Sequence, residues 1–134
     1  MGKISVKYSG GMSFEASARN HKVAVDLPLG LGGEDAGPTP VELFAISLAS
    51  CTGIELAFYC KKFNWDPTGL KIEVTYEKLP DRIKKISLEI FLPSAKSEKE
   101  FKEAIGWAKK CLINNTLHYK PEIETILKET TDYK

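Results

Sequence analysis

Hydrophobic and polar positions alternate through the first 27 residues. Ile4, Val6 and Tyr8, then Met12, Phe14, Ala16 and Ala18, then Val23, Val25 and Leu27 recur on a period of two, the pattern of half-buried β-strands. Gly10-Gly11 and Asn20-His21 separate the runs with turn chemistry, so the three segments are expected to pair as an antiparallel meander. Residues 28–40 are crowded with Gly and Pro and predict a loop, long for a compact domain. Thr39-Pro40-Val41-Glu42 ends that loop with a helix start: Thr39 at the N-cap, Pro40 at the first helical position, and Glu42 closing a capping box. The helix is expected to run to about Phe63, before Asn64 and Asp66-Pro67. It is apolar on almost every side, which places it in the interior.

A second hairpin follows, with Leu70, Ile72, Val74 and Tyr76 answering Ile86, Leu88, Ile90 and Leu92 across a Pro80-Asp81 turn. Ser97-Glu98-Lys99-Glu100 is another capping box, and Phe101, Ala104, Ile105, Ala108, Cys111 and Leu112 form one stripe at helical spacing. Cys111 is therefore expected to face inward near the end of that helix. Asn114-Asn115 breaks the pattern, and residues 122–129 fit either a last strand through Ile123, Thr125 and Leu127 or a short helix. The order describes one α+β domain over residues 1–134, with antiparallel sheets around a long hydrophobic helix. A helix apolar on every face needs more cover than so short a chain supplies, which predicts a homodimer.

Charge narrows the function. With 19 basic and 18 acidic residues the net charge is +1, which offers a polyanion no general attraction, so no nucleic-acid partner is expected. The first ten residues lack the apolar core of a signal peptide, and no charge-free run of membrane-spanning length is present, so a cytoplasmic protein without a membrane partner is expected. Cysteines stand at positions 51, 60 and 111. An odd number without zinc-ligand spacing argues for free or redox-active thiols, with no metal expected.

Cys51 sits among small residues in Leu48-Ala49-Ser50-Cys51-Thr52-Gly53, mid-way along the central helix. It reads either as a small core residue or as a reactive thiol that another group can approach. Cys111 on the second long helix is placed to meet it if the two helices pack together, and Cys60, half a turn round the helix from Cys51, reads as core. Mid-helix, Cys51 gains little from its own helix dipole, so a reactive thiolate needs a cation from elsewhere. Of the two arginines, Arg82 lies in a charged turn and Arg19 at a strand end is the better candidate. His21 and His118 have no triad context. Glu55, one turn after Cys51, is on the same helix face, whereas Glu42 is turned away and is accounted for by its capping role.

Residues 32–44, Gly-Gly-Glu-Asp-Ala-Gly-Pro-Thr-Pro-Val-Glu-Leu-Phe, followed by Leu48-Ala49-Ser50-Cys51-Thr52 and by Cys111 with Asn115 four positions on, resemble the OsmC-like superfamily, which includes the organic hydroperoxide resistance proteins. The resemblance implies an intertwined homodimer with composite sites. The residue matching Cys51 attacks a peroxide and the residue matching Cys111 resolves the sulfenic acid as a disulfide. It implies no cofactor, and by analogy a thiol or lipoyl-type reductant. In the hydroperoxide-resistance branch an arginine and a glutamate hold the thiolate: Arg19 lies in the matching region, while the glutamate position falls on Val41, with Glu42 one residue on. Two functions follow. One is a thiol peroxidase acting on organic hydroperoxides or hydrogen peroxide. The other is a dimer of the same fold that binds a small hydrophobic ligand or senses redox state without turnover.

Overall fold

The structure is a computed structural model and describes residues 2–93 and 97–130. Strands β1 (Ile4–Gly10), β2 (Ser13–Ala18) and β3 (His21–Val25) form an antiparallel sheet in the order β1-β2-β3. Helix α1 spans Pro40–Lys62, strands β4 (Lys71–Lys78) and β5 (Ile83–Phe91) make an antiparallel hairpin, and helices α2 (Glu98–Ala108) and α3 (Leu112–His118) follow. The α+β architecture with two antiparallel sheets and one long helix is the one the patterning predicts.

Helix α1 starts as its sequence dictates. The Thr39 hydroxyl accepts from the Glu42 N–H at 3.1 Å, and the Glu42 carboxylate accepts from the Thr39 N–H at 2.9 Å. That reciprocal pair holds the Glu42 carboxyl below the usual carboxylate range. By length and composition the helix would also pass as a membrane span. Here its C-terminal half is the core instead: Leu56, Tyr59 and Cys60 pack with Leu92, Ala104 and Ala108 from the hairpin end and α2. Tyr59 adds ring contacts to Phe63, Trp65 and Trp107. The other side of α1 is open, and Ile46, Ile54 and Phe58 stand more than half exposed. The expectation of a helix covered all round is thus met on one side only. The meander makes no substantial packing contact with the helices or the hairpin, and Ile4, Val6 and Tyr8 are exposed.

Between β3 and α1 the long loop is pinned by one carboxylate. Asp26 is 1 % exposed and accepts from the backbone N–H groups of Leu27 at 2.7 Å, Glu34 at 3.2 Å and Ala36 at 3.1 Å. The Ser13 hydroxyl is a further partner, and together these donors hold the Asp26 carboxyl below its ordinary value. Two glycines let the loop close: a Cβ at Gly33 would overlap the Leu27 carbonyl, and one at Gly37 the Ala24 carbonyl.

The C-terminal third departs from expectation. The stripe ending at Leu112 is not one helix, because α2 stops at Ala108 and a second short helix begins after Cys111. Leu112 is accordingly 75 % exposed. Asn114 and Asn115 lie inside α3 rather than ending the helical pattern: their side-chain amides reach back to the carbonyls of Lys109 at 2.7 Å and Lys110 at 3.4 Å. Those contacts satisfy carbonyls left open where α2 ends. Residues 120–130 form neither the strand nor the short helix. Neither sheet includes a strand from this segment, and Leu127 stands 97 % exposed.

Candidate active site

The thiols of Cys51 and Cys111 meet where α1 passes the junction between α2 and α3. Cys51 is half-buried on α1, Cys111 is fully buried as the N-cap of α3, and both are free thiols. The Cys111 side chain is hydrogen-bonded to that of Cys51. The N-terminal N–H groups of α3 have no intrahelical partners, and the two sulfurs serve them. Those of Leu112 and Ile113 are directed at the Cys51 sulfur, and that of Asn114 donates to the Cys111 Sγ at 3.3 Å. Positive helix-end character thus reaches Cys51 from a helix other than its own.

Burial nevertheless wins at Cys51. Desolvation is the largest influence and, with the neighbouring Cys111 thiol, pushes the Cys51 pKa above its ordinary value despite the two N–H donors. The two thiols are therefore neighbours, but no cation of the chain is among the groups acting on Cys51 to favour its thiolate at neutral pH.

The other candidates are dispersed. Arg19 sits exposed in the β2–β3 turn, with a left-handed backbone at φ 54°, and is not among the groups acting on Cys51. The meander that carries it is not folded back onto α1, so Arg19 and Cys51 are not brought together within the chain. Glu55 is half-buried one turn past Cys51 and has no hydrogen bond or ion pair among the described residues. Glu42 is engaged at the helix start, and Cys60 is in the core with its pKa raised by burial. His118 ends α3, while His21 begins β3 on the exposed meander. Among the described residues no cluster of His, Cys, Asp and Glu is arranged to hold a metal ion.

Sequence reading missed two contributors. Asp26 looks like an ordinary polar residue after a strand, and only its buried position shows that it organises the loop. Asn114, which serves both the end of α2 and the Cys111 sulfur, reads with Asn115 as a helix break in the sequence. The signal for it lay in a known preference of Asn for bonding nearby backbone.

A sequence profile for OsmC-like proteins matches residues 32–126, from the pinned loop to beyond α3. The chain belongs to the OsmC-like family. No curated protein matches its sequence. Among solved structures it is similar to an osmotic stress induced and detoxification response protein from Psychrobacter arcticus, at 24% identity over 87% of this chain and 88% of that one, with a TM-score of 0.79. An OsmC-like protein from Mycoplasma pneumoniae aligns at 22% identity over 88% and 87%, with a TM-score of 0.76. The organic hydroperoxide resistance protein OhrB of Bacillus subtilis aligns at 18% identity over 90% and 92%, with a TM-score of 0.60. At such identities the likeness is one of fold.

Proposed function

We propose that this OsmC-like protein is a thiol-dependent peroxidase that reduces organic hydroperoxides or hydrogen peroxide. The contact between the Cys51 and Cys111 thiols beneath the start of α3 carries the reading. The Cys51 thiolate attacks one oxygen of the O–O bond: an S–O bond forms, the O–O bond breaks, and the leaving oxygen takes a proton and departs as alcohol or water. Cys51 is left as a sulfenic acid. The Cys111 sulfur then attacks the Cys51 sulfur, an S–S bond forms, and the sulfenic oxygen leaves as water. An external dithiol of the lipoyl type completes the cycle by thiol–disulfide exchange, taking up the oxidation.

Because Cys51 is disfavoured as a thiolate within one protomer, a cation has to come from outside it, and Arg19 on a second copy is the proposed source. The open face of α1 and the unpacked meander support a cytoplasmic homodimer with sites built from both chains. Peroxide consumption by the native protein and by Cys51→Ser, together with sulfenic-acid trapping on Cys111→Ser, tests the mechanism. Full turnover in Cys51→Ser refutes it.

One observation favours the second reading, a binding or sensing dimer. A groove of about 640 Å³ runs between α1 and β4, lined by Ala45, Ile46, Ala49 and Ile54 opposite Ile72 and Val74, with room for a small hydrophobic ligand. Trapping separates the readings: a binding protein takes up the ligand while its Cys51 forms no sulfenic acid at substoichiometric peroxide.

A further inference from the structure

Residues 109–111 join α2 to α3, and the buried thiol sits on the last of them. A sulfur on so short a connection is aimed by whatever holds that connection. Its backbone is anchored at Cys111, whose N–H donates to the Ala108 carbonyl at 3.3 Å and whose carbonyl accepts from the Asn115 N–H at 3.0 Å. Asn114 then reaches back across the junction. Its side-chain amide donates to the carbonyl of Lys109, the C-cap of α2, at 2.7 Å, and its own N–H donates to the Cys111 Sγ at 3.3 Å. One residue therefore ties the Cys111 sulfur to the end of α2. Asn115 repeats the backward reach, to Lys110 at 3.4 Å, but its N–H serves a carbonyl and not a sulfur.

The two ends of this tie differ in environment. The amide bond to Lys109 is exposed to solvent, so water can take its place and the fold does not depend on it. The Cys111 sulfur is fully buried and hydrogen-bonded to Cys51, where its direction decides whether it can reach another sulfur. Disulfide closure is geometrically demanding, with an S–S length of about 2.05 Å and a Cβ–S–S–Cβ dihedral of roughly 90°. A misplacement of about 1 Å between held groups can cost on the order of a hundredfold in rate. Asn114 itself is not among the groups acting on Cys51, so its influence falls on the second thiol alone.

We infer that Asn114 is a positioning residue for disulfide closure, setting how fast Cys111 attacks an oxidised Cys51. In that step the Cys111 sulfur forms a bond to the Cys51 sulfur, the bond from Cys51 to its leaving group breaks, and the group departs with the electron pair. Where the leaving group is the oxygen of a sulfenic acid, the inference rests on the peroxidase reading. Where it is a thiolate, the inference stands without that reading.

The test mixes the reduced full-length protein with the chromogenic disulfide dithiobis(nitrobenzoate). Attack by Cys51 releases one thionitrobenzoate and leaves a mixed disulfide; attack by Cys111 on the Cys51 sulfur releases a second and closes the Cys51–Cys111 bond. Loss of the second release in Cys111→Ser identifies it. Asn114→Ala should slow the second release about tenfold and change the first by less than about twofold, while the thermal transition confirms an intact fold. Asn114→Gln, which keeps the amide donor on a longer stem, should recover part of the loss. After one equivalent of cumene hydroperoxide, Asn114→Ala should also hold Cys51 as a trappable sulfenic acid for about ten times as long. An unchanged second release, an equal slowing of both releases, or a Gln variant as slow as the Ala variant overturns the inference. A selectively slowed second release in a protein that forms no sulfenic acid would retain the positioning role and refute the peroxidase reading alone.

Discussion

Cys51 and Cys111 differ in environment, and the difference assigns their roles. Cys51 is half-buried and reachable, whereas Cys111 is sealed under α3, so an incoming peroxide meets Cys51 first. Cys111→Ser is therefore expected to give one fast reaction and then accumulate oxidised Cys51, because the resolving sulfur is gone. Mass spectrometry after a single equivalent of peroxide reads this, and repeated turnover by the variant would contradict it. The raised Cys51 pKa makes a second test. A thiol whose pKa lies above the ordinary value is neutral at pH 7 and gains nucleophilicity as the pH rises toward that pKa. Arg19→Ala should thus move the midpoint of Cys51 alkylation to higher pH and slow peroxide attack at neutrality, if a second copy supplies this guanidinium. Glu42→Gln should leave both nearly unchanged, since a Gln side chain still accepts from the Thr39 N–H. A large loss in Glu42→Gln with none in Arg19→Ala would exchange the two assignments.

At the scale of elements, the loop before α1 shows how far one buried carboxylate can organise a Gly- and Pro-rich segment. The Asp26 carboxyl is held below its unfolded value by N–H and O–H donors, so its contribution is present above the unfolded pKa of about 3.9 and is lost as the pH falls through the lower folded value. Asp26→Asn should lower the thermal midpoint at pH 7 and flatten the acid side of the stability profile. An unchanged profile would mean that the loop is held by other contacts. Gly33→Ala and Gly37→Ala place a Cβ onto a backbone carbonyl and should destabilise by about 2 kcal/mol or more, as steric strain in a pinned backbone does. Local signals made the strands, the hairpin and the α1 capping box legible in the sequence, because each is set by residues within four positions of one another. The α2–α3 break was not legible. Cys111 and Leu112 continue the apolar stripe of α2, and only the backbone-binding Asn114 and Asn115 amides, together with two sulfurs serving the start of α3, make a new helix there. The pairing of Cys51 with Cys111 was legible only as a possibility, since it depends on how two helices pack. The Asp26 clasp depends on loop closure, which has no periodic signature.

For the molecule as a whole, surface area is the deciding quantity. A compact monomer of 14.9 kDa exposes about 7,000 Å², yet this chain exposes 10901 Å². The excess is not spread evenly. It includes the meander's Ile4, Val6 and Tyr8, the α1 face with Ile46, Ile54 and Phe58, and the segment after α3 with Ile123 and Leu127. Residues of this kind are worth roughly 25 cal/mol for each Å² of apolar surface removed from water, so leaving them all wet would cost more than a domain's net stability. If a second copy covers even half of the excess, each chain contributes about 2,000 Å², which reaches the range of obligate dimers. Folding and association are then one process, with no stable folded monomer beneath it. Sedimentation at micromolar concentration should accordingly find a dimer, and the thermal midpoint should rise with protein concentration, as it does when unfolding releases two chains. In the proposed dimer the exposed Arg19 is the group expected to act on another chain's Cys51, so conditions that separate the chains should abolish peroxide turnover in step with dimer loss. A well-folded monomer at micromolar concentration that retained full turnover would refute both the dimer and the composite site.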